Sequence, residues 1–475
     1  MSGDEICLLN AADIRGLYSK KAISPVEVVG AFLRRIEQIN PATNAIVTVA
    51  AEQALAEAKV AEQNMMRGEI LPPLHGIPFS VKDNIFTKGI RTTSGSLLFR
   101  DHVPAEDAGV VVAMKRSGAI VLGKTNTPAF GWTGTTDNKV FGPTRNPYEL
   151  ALTPGGSSGG AAVAAATAMA AVNIGTDGGG SLRIPAAFTG TVGFKPSHGR
   201  VPDVPPHTHW LFQHYGPIAR SVSDIRLVLG AIAGPDPHDP HSLPAGADSY
   251  PDPAAAARKP RLLFTTQLGF TEAVDPEIAS ICRSAALAFG EFGWEVAERE
   301  LDWPNPTPFA NVIAGFGLWS RLRGFEHRTD EIEDGILAII ESVRPLPNTA
   351  FYDAYFARNA WCGKVFELFE SIDLLLTPAT ACAPFAIGRT YPAEINGEPA
   401  SPSSWSPYLR AFNITGQPAI SVPAGMTKAG LPIGLQIVGA RFCDRQVIDA
   451  AAAFEQVRPW RTMGALEALN RQATT

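Results

Sequence analysis

The chain has 475 residues, of which 45% are hydrophobic and 18% charged, and a net charge of −6. That composition supplies ample core for a globular enzyme, and the acidic balance, with no Lys/Arg run longer than a pair such as Arg34-Arg35, argues against a nucleic-acid surface. Five cysteines, at 7, 282, 362, 382 and 443, are odd in number and without paired spacing, which argues against a disulfide framework or zinc site and fits a reducing, cytoplasmic setting.

Met1-Ser2-Gly3-Asp4-Glu5 shows neither the basic start nor the apolar run of a secretory signal. Residues 1–70 read as helical. Ser24-Pro25-Val26-Glu27 combines an N-cap serine, proline at the first helical position and glutamate three residues after the cap. Val28, Val29, Phe32, Leu33 and Ile36 follow at helical spacing. Residues 50–66 form a second expected helix ending at Gly68. These helices offer a surface for a homodimer, although packing on the chain's own core is the plainer reading.

From Leu74 short apolar runs alternate with helical stretches. Residues 77–81 and 120–122 read as strands, 108–117 as a helix, and 161–171 as a buried helix of small residues, too short to span a bilayer. Further strands are expected at 261–264 and 372–376. The runs 419–423 and 434–439 read as a pair joined by a turn at Gly430-Leu431-Pro432. Such alternation predicts an α/β fold: a large mixed, mainly parallel sheet between helices. Residues 234–258, rich in Pro, Asp and His, read as an exposed connection. Residues 303–369 hold 12 of the 40 aromatic residues. They fit either a helical subdomain with its own aromatic core or a cap with apolar walls for a bulky substrate.

Two glycine clusters carry serines, Gly155-Gly156-Ser157-Ser158-Gly159-Gly160 and Gly178-Gly179-Gly180-Ser181, and Lys82 closes an apolar run upstream. A serine nucleophile needs a base, and lysine serves if burial lowers its pKa; paired with Asp83 at a strand end, Lys82 would be structural instead. Glycines before Ser181 let several backbone N–H groups converge as an oxyanion hole requires. Ser157 also satisfies G-x-S-x-G, the nucleophile elbow of α/β-hydrolases. Leu152-Thr153-Pro154 is, however, a poor strand end, and no histidine follows His327. No Gly-Lys-Ser/Thr follows the glycines, so a phosphate loop is excluded. His207, His209 and His214 lack metal-ligand spacing and read as loop histidines, lining a pocket with Trp210, Phe212 and Tyr215.

Taken together, Pro154 to Gly160, Gly175-Thr176-Asp177-Gly178-Gly179-Gly180-Ser181-Leu182-Arg183-Ile184-Pro185 and Gly193-Phe194-Lys195-Pro196 resemble the signature of the amidase signature family. Gly76-Ile77-Pro78 before Lys82-Asp83, Thr144-Arg145-Asn146-Pro147, Gly216-Pro217-Ile218-Ala219-Arg220, Asn413 to Ala419 and Gly430 to Gln436 extend the likeness over most of the chain from Leu74. The resemblance implies one domain over 1–475. Its parts would be N-terminal helices (1–70), a signature core (74–233), a variable connection with the aromatic helical cap (234–369) and the C-terminal part of the core (370–475).

It further implies a Ser–Ser–Lys triad of Ser181 as nucleophile, Ser157 as a bridging serine on a cis peptide, and Lys82 as base. Gly178, Gly179, Gly180 and Ser181 would supply the oxyanion-hole N–H groups, although many members carry isoleucine where Gly178 stands. Ser158 would support the network, while Asp177 and Arg183 would lock the loop by pairing. The implied activity is hydrolysis of small or aryl-bearing amides, carbamates or cyclic amides, with no cofactor or metal, no nucleic-acid partner and no membrane. Two other readings stay open: the A subunit of a tRNA-dependent amidotransferase, and a non-catalytic binding protein on the same scaffold. Trp132 joins Trp210, Phe212 and Tyr215 as an expected pocket residue.

Overall fold

The computed structural model describes residues 1–206, 211–244, 259–460 and 464–473. Among them thirteen strands are defined in chain order: β1 (Ile46–Val49), β2 (Pro78–Lys82), β3 (Ile120–Thr125), β4 (Val172–Asp177), β5 (Val192–Lys195), β6 (His214–Ala219), β7 (Leu262–Phe264), β8 (Val296–Glu298), β9 (Leu374–Pro378), β10 (Glu394–Ile395), β11 (Glu398–Pro399), β12 (Ala419–Met426) and β13 (Pro432–Gly439). Eleven form one sheet in the order β1-β3-β2-β4-β6-β5-β12-β13-β9-β7-β8, and β10 and β11 pair separately.

The large mixed sheet is as expected, but its parallel pairing is confined to two blocks, β3-β2-β4 and β9-β7-β8. Antiparallel pairs join and flank the blocks, so they outnumber the parallel ones, which corrects the mainly parallel expectation. The cause lies in the connections. Only residues 427–431 separate β12 from β13, and a connection that short closes an antiparallel hairpin rather than a crossover.

Local signals set the helix starts. Ser24 Oγ accepts the Glu27 N–H at 3.2 Å while Glu27 Oε2 accepts the Ser24 N–H at 2.8 Å, opening the helix Pro25–Thr43. The helix expected at 161–171 is shorter, Gly159–Ala166, and β4 begins at Val172. Every side chain of this stretch is buried, so it has no polar face whose periodicity could mark its end. Pairing of β4 with β2 and β6 draws the chain out of the helix instead.

The aromatic segment folds into three helices, Thr307–Leu322, Asp334–Val343 and Ala350–Ser371. Trp303 and Trp361 are buried in a cluster that also takes in Ile184, Phe188 and Trp405, beside the second glycine-serine loop. Leu318, Leu322, Ile336 and Ile340 pack with Leu98 and Phe130, with Trp132 against them. The segment thus contributes aromatic core and also walls the neighbourhood of the serine loops. Among the described residues, no helix is long and apolar enough to cross a membrane.

Candidate active site

Three segments converge. Lys82 is the last residue of β2 and is fully buried. Ser157 stands in the loop before the helix Gly159–Ala166, and the Gly156–Ser157 peptide is cis. Ser181 stands between β4 and the helix Arg183–Thr189. A hydrogen bond from the Ser158 N–H to the Ser181 carbonyl, 3.2 Å, ties the two serine loops together. Ser181 is 9% exposed and Ser157 2%, so of the three side chains Ser181 is the most accessible.

The Lys82 side-chain nitrogen meets two hydroxyls, Ser157 Oγ at 2.7 Å and Thr176 Oγ1 at 2.8 Å. Burial pulls its pKa down to about 7, against a smaller opposing pull from Asp177. The alternative pairing with Asp83 is not formed. Successive residues of an extended chain face opposite sides, and Asp83 instead accepts from the Thr93 N–H and hydroxyl. A hydroxyl can accept from an ammonium or donate to a free amine lone pair. The site therefore accommodates Lys82 in either protonation state. Gly131 makes room for Ser157: a Cβ there would lie 3.1 Å from Ser157 Oγ, and the residue adopts φ 70°.

Asp177 and Arg183 pair inside the loop. Both are fully buried, with Arg183 Nε 2.9 Å from Asp177 Oδ2. All five guanidinium N–H groups are engaged, the others with Asp177 Oδ1, Asn413 Oδ1, Gln436 Oε1 and the Leu409 carbonyl. Burial pushes the Asp177 carboxyl up, but Arg183's charge and hydrogen bonds, with Lys195 and Asn413, hold it well below the usual carboxylate range. Ser158 Oγ donates to the Thr176 carbonyl at 3.1 Å, tying its loop to β4.

Gly178 and Gly179 are half-buried at the turn. The Gly180 N–H points inward and donates to Asp177 Oδ1 at 2.6 Å. It is thereby engaged within the loop, unlike the outward role expected of it. The anticipated pocket residues fare differently. Trp132 is half-buried and lines a cavity of about 280 Å³ with Thr133, Asn138, Glu333 and Arg389. Phe212 and Tyr215 are corrected to interior positions, 2% and 1% exposed. The Phe212 ring packs under the Arg358 guanidinium at 5.9 Å, and the Tyr215 phenol is buried with a hydrogen bond to Asp203. Trp210, His207 and His209 lie outside the described residues.

His214 is buried at the start of β6, with Nδ1 2.7 Å from the Phe212 carbonyl. Burial and the neighbouring Lys195 hold its pKa well below the usual histidine value. No group of three metal-binding side chains is present among the described residues. Two contributors escape a reading of the sequence alone. Thr176 holds Lys82, and Asn84 Nδ2 donates to the same hydroxyl at 3.4 Å. Thr176 belongs to the quoted motif, so its place one residue before Asp177 is a usable signal; nothing local marks Asn84.

The amidase family model matches residues 27–448. An acylamidase from Rhodococcus erythropolis is 34% identical over 467 residues, covering 97% of this chain and 98% of that protein. The A subunit of the glutamyl-tRNA(Gln) amidotransferase of Moorella thermoacetica is 36% identical, covering 95% of this chain and 97% of that protein. The crystal structure of a bacterial aryl acylamidase of the amidase signature family superposes with a TM-score of 0.88 at 32% identity, covering 98% of this chain and 99% of that one. With the fold and both glycine-serine loops in place, the chain belongs to the amidase signature family and is an amidohydrolase acting on carbon–nitrogen bonds.

Proposed function

We propose that the chain is a stand-alone amidase for small, aryl-bearing amides, with Ser181 as nucleophile, Ser157 as proton relay and Lys82 as base. The observation that carries this reading is the company of Lys82: a fully buried amine, near pKa 7, in contact with two hydroxyls. Neutral Lys82 accepts the Ser157 hydroxyl proton while Ser157 accepts that of Ser181, whose oxygen attacks the amide carbonyl. The oxyanion is received by the N–H groups of Gly178, Gly179 and Ser181, since Gly180 is engaged with Asp177. Collapse breaks the C–N bond and the relay returns the proton to the leaving nitrogen. Water then enters by the same relay and hydrolyses the acyl-enzyme.

The aromatic helices beside the serine loops, and the likeness to an acylamidase and an aryl acylamidase, support an aryl-bearing substrate. The equally long likeness to an amidotransferase component supports a second reading, in which the chain is a glutaminase that works only with partners. Purified alone, the chain is expected to hydrolyse acetanilide and to be labelled at Ser181 by a fluorophosphonate. Absence of anilide turnover together with partner-dependent glutaminase activity would favour the second reading.

A further inference from the structure

Two polar side chains flank the nucleophile loop with no anionic partner among the described residues. Arg410 lies on the helix Pro407–Ile414, half-buried, and its Cγ is 3.8 Å from where a Cβ on Gly179 would stand. Its guanidinium donates to Asn311 Oδ1, a neutral acceptor on the helix Thr307–Leu322, at 2.6 Å. Among the described residues no carboxylate pairs with it, and burial alone acts on its charge. Burial lowers its pKa to about 10. The contrast with Arg183 is direct: that guanidinium has all five N–H groups engaged and a carboxylate opposite.

Gln213 immediately precedes β6 and stands over Gly178, its Oε1 3.2 Å from the Cβ position there. The residue is 8% exposed, and its Nε2 is buried with no acceptor among the described residues. A buried donor left without a partner is destabilising, so this amide calls for an acceptor that the described residues do not supply. A β-branched side chain at 178 would press on Gln213, whereas glycine leaves the space open. The amide atom nearest Gly178 is the acceptor Oε1, and a half-turn of the amide group exchanges it with the unpartnered Nε2, so that both side chains can present donors there. Among the described residues neither faces a carboxylate, and they adjoin consecutive residues, Gly178 and Gly179, three and two positions before Ser181.

We propose that Arg410 and Gln213 select amide substrates that carry a carboxylate, binding that group beside the nucleophile loop. A carboxylate is acceptor-only and matches a guanidinium fork together with an amide N–H. The proposal rests on the amidase reading above and narrows its substrate class.

The test compares succinanilate, charged on the acyl side, and 4-acetamidobenzoate, charged on the amine side, with neutral butyranilide and acetanilide. For at least one charged member, kcat/KM is expected to exceed that of its neutral counterpart by about tenfold or more, and the preference to shrink as salt rises. Arg410→Ala and Gln213→Leu should each collapse that ratio, with Arg410→Lys keeping part of it. Calorimetry on the Ser181→Ala chain gives a readout independent of turnover. The preferred anion should bind to it, and adding Arg410→Ala should weaken binding about tenfold or more. Turnover of the neutral anilides without a charged preference, or anion binding unchanged by Arg410→Ala, overturns the proposal. Anion binding that depends on Arg410 without turnover of any anilide would instead overturn the amidase reading and leave this site supported.

Discussion

Lys82 and Lys124 lie on neighbouring strands, β2 and β3, where Lys124 pairs in register with Val81. Both are fully buried, and burial pulls both amines down to about 7. Their company differs. Lys124 donates to the Ile85 carbonyl and, at 2.8 Å, to Thr87, and it feels the buried Asp83 carboxyl as its first opposing charge. Burial in turn pushes the Asp83 carboxyl up, against the pull of Lys124. Lys82 touches two hydroxyls, one of them on a serine loop tied to Ser181. A lowered pKa therefore does not by itself pick out a base; what distinguishes Lys82 is a partner that can give up a proton and pass another on.

The sharpest break of this comparison is to remove each lysine in turn. Lys82→Ala and Ser181→Ala should each lower kcat on an anilide by roughly 10³-fold or more, with unchanged circular dichroism. Lys124→Met should leave kcat per folded molecule within about threefold. Turnover surviving Lys82→Ala would remove the basis for calling Lys82 the base. The cost of Lys124→Met should appear in stability instead, at about 3–5 kcal/mol in urea unfolding, because Asp83 is left buried without its counter-charge. Asp83→Asn on that background should recover part of the loss.

The pH dependence follows from the same values. Only neutral Lys82 accepts a proton, so kcat/KM should rise about tenfold per pH unit up to about 7 and then level off. The folded-state pKa is depressed from 10.5, so between about 7 and 10.5 the unfolded chain binds the extra proton and stability rises with pH there. A flat activity profile between pH 5 and 8 would contradict the assignment. Among the changes around Lys82 the smallest effect is expected from Thr176→Val, roughly a tenfold drop in kcat. Loss of this acceptor disfavours the charged amine, so the kink in the pH profile should move to lower pH. A Thr176→Val enzyme with the same rate and the same kink would reduce Thr176 to a packing role.

Much of the site was legible because it is written in contiguous chain. Glycine-serine runs need no distant partner to be recognised, and the Ser24–Glu27 capping box closes within one helical turn. The turn between β12 and β13 is likewise visible from Gly430-Leu431-Pro432. Phe212 and Tyr215 mislead because an aromatic side chain beside a proline-rich stretch can face a pocket or the core equally well. They pack into two hydrophobic clusters, with Arg358 and Asp203 as polar neighbours, and nothing in their own segment announces those partners. The Gly180 N–H passes for an outward donor for the same reason; only the folded loop shows it aimed at Asp177.

By itself the sequence determined the reactive inventory and the family: two serine loops, the lysine before Asp83, and local signals for helix starts and tight turns. Those features depend on residues a few positions apart, whose geometry the backbone largely dictates. Tertiary structure alone decided which buried lysine meets a serine, which arginine is saturated and which, among the described residues, is left without a carboxylate. The Lys82–Ser157, Lys82–Thr176 and Arg183–Gln436 contacts span 75, 94 and 253 residues. Contacts over such separations are fixed by strand order and packing, which the local pattern of the chain does not encode.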